Sequence, residues 1–95
     1  MSDIKSQLTE ELAEVAWSDL VPHARRDALI VVSESLDLLE VGEAIARDNV
    51  PVVQGWIGER LIGKPTTDQL SEWNDRPTSS FNALIVQPFV LIQTL

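Results

Sequence analysis

The stretch that decides the fold class is Asn82-Ala83-Leu84-Ile85-Val86-Gln87-Pro88-Phe89-Val90-Leu91-Ile92-Gln93-Thr94-Leu95. It is rich in branched residues and carries apolar side chains at successive positions, so both faces of an extended chain are apolar. That pattern fits a strand covered on both sides better than a half-exposed one. Pro88 has no amide to give to a sheet ladder, so it marks a bulge, an edge or the join between two strands, Phe81 to Val86 and Phe89 to Gln93. Two readings of the cover remain open here. The chain's own helices can bury this segment. Alternatively, helices this short leave part of it uncovered, and a second subunit completes the cover at Phe89, Val90, Leu91 and Ile92. An uncovered apolar edge also invites pairing with another chain, so the segment predicts self-association, with a twofold homodimer as the expected form.

Working outward, Ala28-Leu29-Ile30-Val31-Val32 is a second short apolar run flanked by polar residues, again a strand buried on both faces. The rest reads as helices. Ile4, Leu8, Leu12 and Val15 recur at spacings of four, four and three, predicting one helix that runs to Trp17 with Glu10, Glu11 and Glu14 outward. Asp19 to Arg26 reads as a short turn capped by Ser18, with Pro22 near its start. Asp37 and Glu40 have the spacing of a reciprocal cap, opening a helix with Leu38, Val41 and Ile45 on its stripe.

Asn49 is placed to cap the next helix, where Pro51 is tolerated because first-turn amides have no acceptor to lose. Val53, Trp56, Ile57 and Leu61 supply its stripe, and Gly63 stands where a left-handed C-terminal cap would fall. Gly55 and Gly58 inside it cost about 1 kcal/mol each relative to Ala, which implies a closely packed neighbour or a frayed helix. Thr66 and Gln69 form a second capping-box spacing, before a short helix with Leu70 and Trp73. Asn74 to Ser80 is a polar, Pro-containing loop. The expectation is an α+β fold in one domain, 1–95: a small sheet of about three strands packed against about four helices.

Composition limits the function more than it reveals it. The 95 residues hold 15 acids and seven Lys or Arg, a formal charge of −8. That field repels phosphate backbones and anionic lipid surfaces, so nucleic acid and membrane are not expected partners. No Cys is present, which rules out disulfides, thiolate metal sites and Cys nucleophiles. Met1 to Lys5 lacks the basic-then-apolar character of a secretory signal, and no apolar run reaches the length of a membrane helix. A cytoplasmic protein is the simplest expectation.

The candidate chemical groups are few. His23 is the sole histidine, followed by Arg25 and Arg26. With Gln87 these form the candidate ligand-binding set, arginine being suited to a carboxylate or phosphate. The alternative is that His23 bonds backbone groups at the turn. Asp37, Glu40 and Glu43 share a predicted helix and would suit a hard cation, but Asp37 is better used as a cap, and no histidine accompanies them. No phosphate-binding loop exists, since Pro65 interrupts Gly63-Lys64-Pro65-Thr66, and no Gly-x-Ser-x-Gly elbow occurs. No catalytic residue, metal or cofactor is implied. Trp17, Trp56 and Trp73 lie on helix stripes and read as core.

Several segments together resemble a family. Glu11-Leu12-Ala13-Glu14-Val15, Trp17-Ser18-Asp19-Leu20, Pro22-His23-Ala24 with Arg26, Ser35-Leu36-Asp37-Leu38, Ala44-Ile45-Ala46, Asp48-Asn49, Trp56-Ile57, Lys64-Pro65-Thr66, Gln69-Leu70 and above all Leu84 to Gln93 are similar to the bacterial domain of unknown function numbered 2288. The resemblance covers nearly the whole chain and implies a stand-alone bacterial protein. It implies no activity and no site residue. The expected function is therefore that of a non-enzymatic interaction or regulatory homodimer. The competing expectation is a protein that binds an anionic small molecule, or a minor enzyme, using His23, Arg25, Arg26 and Gln87.

Overall fold

The computed structural model describes residues 4–94, and side chains from Ser6 onward. Its elements, in chain order, are α1 (Ile4–Glu11), β1 (Ala13–Ala16), α2 (Trp17–Arg25), β2 (Leu29–Val32), α3 (Leu38–Ala46), α4 (Val50–Gly58), β3 (Ile62–Gly63), α5 (Thr67–Asp75), β4 (Ser80–Val86) and β5 (Phe89–Thr94). The α+β expectation holds in kind and is corrected in count, because five strands form one sheet in the order β1-β4-β5-β2-β3. β5 runs parallel to β2, and the other neighbouring pairs are antiparallel.

The sheet separates two cores. On one face Leu84, Val86, Leu91 and Val32 pack with Leu8 of α1 and with Leu38 and Val41 of α3, and Val53 and Trp56 of α4 lean on that cluster. On the other face Phe81, Ala83, Val90, Ile92 and Leu29 pack with Trp17 and Leu20 of α2 and Trp73 of α5. Alternation along β4 and β5 feeds both clusters, which is why the C-terminal stretch is apolar at successive positions. The second cluster centres on three rings. The Trp17 and Trp73 centroids are 5.1 Å apart, and Trp73 meets Phe81 edge-on at 5.0 Å. Trp17 donates its indole N–H to Asn74 Oδ1 at 2.8 Å, so its one polar atom is satisfied.

The reading of β4 and β5 as a strand pair is borne out, and Gln87 and Pro88 form the two-residue turn between them. Leu95 lies outside the described residues. The cover for this pair comes from within the chain: β5 is the central strand, and Val90, Leu91 and Ile92 are buried under the chain's own helices. Val90, Leu91 and Ile92 thus leave almost no surface for a second subunit to cover, while Phe89 is half-buried.

The N-terminal region also departs from its periodicity. The first helix stops at Glu11, and Ala13 to Ala16 turn into an edge strand paired with Ser80 to Ala83 of β4. Ala and Glu are helix formers, but a free edge on β4 offers this segment a full ladder partner, and tertiary pairing overrides local propensity. Val15 consequently packs on the tryptophan face, away from Leu8. Asp19 to Arg26 forms most of α2, and Pro22 sits inside that helix. Its start needs no Ser18 cap: the amides of Trp17 and Ser18 donate to the carbonyls of Ser79 and Pro77.

The cap of α5 is as expected, and that of α3 only in part, since Asp37 caps it but no return bond from Glu40 is found among the described residues. Asp37 accepts from the Leu39 amide, and Thr66 and Gln69 make a reciprocal box. Asn49 holds the N-cap position of α4 without a side-chain cap bond. Gly63 is no helix cap; it pairs with Val31 in β3. The left-handed residue after α4 is Arg60, at φ 61°, and Asp27 and Asp48 take the same conformation after α2 and α3.

Candidate functional site

α4 differs from every other described helix with a partner across the core, because it buries no residue fully. From Asn49 to Gly58 it carries no charge. At about 100° per residue, Val53 and Trp56 turn to the core, Pro51, Gly55 and Gly58 turn to solvent, and Val52 lies on the flank next to Trp56. Val50, Gln54 and Ile57 lie between these sectors and line one wall of a groove. Val50 is 46% exposed, Val52 40% and Ile57 53%. Scattered exposed apolar residues are ordinary, but here Val52 on one flank and Val50 and Ile57 on the other border an outer face, Pro51, Gly55 and Gly58, that carries no charge.

The groove has a volume of about 430 Å³. Its floor is Ile30 of β2, Ile62 of β3 and Phe89 of β5, and Ala44 and Ile45 of α3 close the far wall. Polar groups occur only at its margins: Asp48 and Asn49 at the α3–α4 junction, Gln54 on α4, and Lys64 after β3. An adjoining depression of about 410 Å³ shares Ile57, Ile62, Gly63 and Lys64 with it and adds Arg60, Ser33, Thr66 and Gln69. Lys64 forms an ion pair with Asp27. The Arg60 guanidinium has no ion-pair or hydrogen-bond partner among the described residues.

This fold and groove can be set beside known proteins. A family model described as "Protein of unknown function (DUF2288)" matches residues 3–94. The chain belongs to the DUF2288 family. PA1075 from Pseudomonas aeruginosa, whose solution structure was determined by NMR, is 33% identical to it, with a TM-score of 0.82. The likeness covers 99% of this chain and 86% of that one. No curated protein matches. The DUF2288 description carries no activity, so the function is unknown and no residue role passes from family to chain.

In this DUF2288 chain the sequence-derived candidates do not converge on one site. Arg26 Nη2 donates to His23 Nδ1 at 2.6 Å near the end of α2, and Arg25 is exposed on the same helix. Arginine has no acceptor, so the ring nitrogen accepts that bond. Gln87 sits in the β4–β5 turn, in a shallow depression with Gln7, Leu8, Glu11 and Ile85. That depression faces α1, across the sheet from α2. Phe89 is half-buried in the groove floor. Asp37 caps α3, and Glu43 meets Arg47 at 3.7 Å.

Sequence reasoning missed the groove because its residues come from five separate elements. The one local signal was the charge-free segment Asn49–Gly58 carrying two glycines. Gly42 shows by contrast what a packing glycine looks like: a Cβ there would stand 2.5 Å from Leu84 Cδ2. At Gly55 and Gly58 a Cβ would meet nothing within 4 Å, so no neighbour in this chain explains them. No described helix is long and apolar enough to cross a membrane.

Proposed function

We propose that the protein is a non-enzymatic, cytoplasmic interaction protein that self-associates as a homodimer through α4. The observation that carries this reading is the uncharged, incompletely buried α4 with Val50, Val52 and Ile57 in solvent. A chain of net charge −8 repels its own copy over most of its surface, so a contact must fall where charge is absent. α4 supplies such a face. A twofold axis beside it sets α4 against its equivalent, matching apolar patch to apolar patch. Pro51, Gly55 and Gly58 on the solvent side keep the helix surface low enough for close approach.

Sedimentation velocity across a wide concentration range tests the proposal. The wild type is expected to move from monomer toward twice the monomer mass, while Val52→Glu, on an exposed flank of α4, stays monomeric with an unchanged circular-dichroism spectrum. A wild type that remains monomeric throughout refutes self-association.

A further inference from the structure

The groove under α4 and the depression beside it meet at the β3 edge of the sheet, where both are lined by Ile57, Ile62, Gly63 and Lys64, and together they make a trough that wraps around that edge from the Ile30 face to the Val31 face. One part is apolar, floored by Ile30, Ile62 and Phe89. The other brings together Arg60 and Lys64, two of only seven Lys and Arg in a strongly acidic chain. We infer that this trough binds an amphiphilic carboxylate, its hydrocarbon chain along Ile30, Ile45, Val53 and Phe89 and its head at Arg60 and Lys64. The inference does not rest on self-association.

Size, charge and backbone support it. A volume of about 430 Å³ lies within the roughly 300–1,000 Å³ of small-molecule sites, which combine apolar walls with a few polar groups that fix orientation. Arg60 holds a guanidinium without a partner among the described residues, and that group's fork matches a carboxylate edge. Lys64 already shares its charge with Asp27, so the Arg60–Lys64 end of the trough offers about one net positive charge, suiting a monoanion better than a phosphate dianion. Arg60 also occupies the left-handed region at φ 61°, where glycine is the usual residue after a helix. The chain thus keeps a long cationic side chain at a position where a smaller residue costs less. At the opposite margin Asp48 repels an anion and fixes the direction in which the ligand lies.

Amide chemical-shift titration with decanoate, kept below micelle-forming concentration, tests this directly. Saturable shifts are expected at Ile30, Ile45, Ile57 and Phe89, with decan-1-ol binding more weakly than decanoate. Arg60→Gly preserves the left-handed turn and so the fold, and it should weaken decanoate about fivefold to tenfold, as loss of one charge-assisted contact does. Lys64→Met should weaken it similarly. Absence of saturable shifts overturns the site, and equal affinity for decanoate in wild type and both variants overturns the head-group assignment. Val52→Glu lies outside the trough, so repeating the titration in that variant separates failure of ligand binding from failure of self-association.

Discussion

The glycines of α3 and α4 permit a quantitative test of how α4 is packed. Gly55 and Gly58 have ordinary helical backbone, and a Cβ added at either meets no atom within 4 Å. Replacing Gly55 by Ala should therefore return the whole propensity difference, about 1 kcal/mol. Gly58 is the last helical residue, where the chain is less constrained, and about half that gain is expected. The double variant should be more stable by about 1.5 kcal/mol, a Tm increase of about 6–12 °C for a domain of this size.

Gly42→Ala is the internal contrast. It gains the same ~1 kcal/mol of helix propensity, but its Cβ would stand 2.5 Å from Leu84 Cδ2 and 3.4 Å from Leu8 Cδ1 and Val86 Cγ2. Leu84 is wholly buried and has little room to rotate away, so about 1–3 kcal/mol of overpacking outweighs the gain. Net destabilisation of about 1 kcal/mol is expected. Urea unfolding of dilute protein, followed by tryptophan fluorescence, measures all three. A destabilised Gly55→Ala, or a stabilised Gly42→Ala, would refute the packing argument. If α4 also faces a second copy, the stabilising pair should weaken dimerisation at high concentration while still raising monomer stability.

Two further outcomes follow from the core and the loop that crosses it. Leu91→Ala, at a position with no exposed surface in the central strand, should cost about 2–5 kcal/mol by urea unfolding, whereas a cost under about 1 kcal/mol would show that the site can collapse around the gap. Gln93 Nε2 donates to the carbonyls of Ser33 at 2.9 Å and Leu36 at 2.6 Å, tying β5 to the loop before α3; Gln93→Leu should cost about 1–3 kcal/mol and speed amide exchange at Leu36 and Leu38, and unchanged exchange would show that the tie does not hold the loop.

What was legible in the chain was what neighbouring residues settle among themselves. Leu84 to Gln93 announced two strands because its apolar character persists at successive positions and Pro88 interrupts it. Thr66 with Gln69, and Asp37 ahead of Leu38, announced helix starts because a cap involves atoms only two or three residues apart. Less legible were segments whose state depends on a distant partner. Ala13 to Ala16 continues a helical stripe in sequence, yet forms a strand because the edge of β4 lies alongside. Ile62 and Gly63 are too short to show any period, and only β2 makes them a strand. Leu61 and Gly63 looked like the end of α4, but the chain turns earlier, at Arg60, so that Ile62 can reach the sheet.

The candidate site divides in the same way. Local spacing drew attention to His23, Arg25, Arg26 and Gln87, and the fold then set Gln87 across the sheet from the other three. The trough gathers residues from β2, α3, α4, β3 and β5, which no spacing rule connects. By itself the sequence determined the strand pair, the caps, the absence of thiol chemistry and the acidic charge, all properties of composition or of neighbouring residues. Tertiary structure alone decided that β5 lies at the centre of the sheet under the chain's own helices, and that α4 rides high enough to leave a groove. Burial depends on which elements meet across a sheet, and that choice is made by the summed packing of the whole chain.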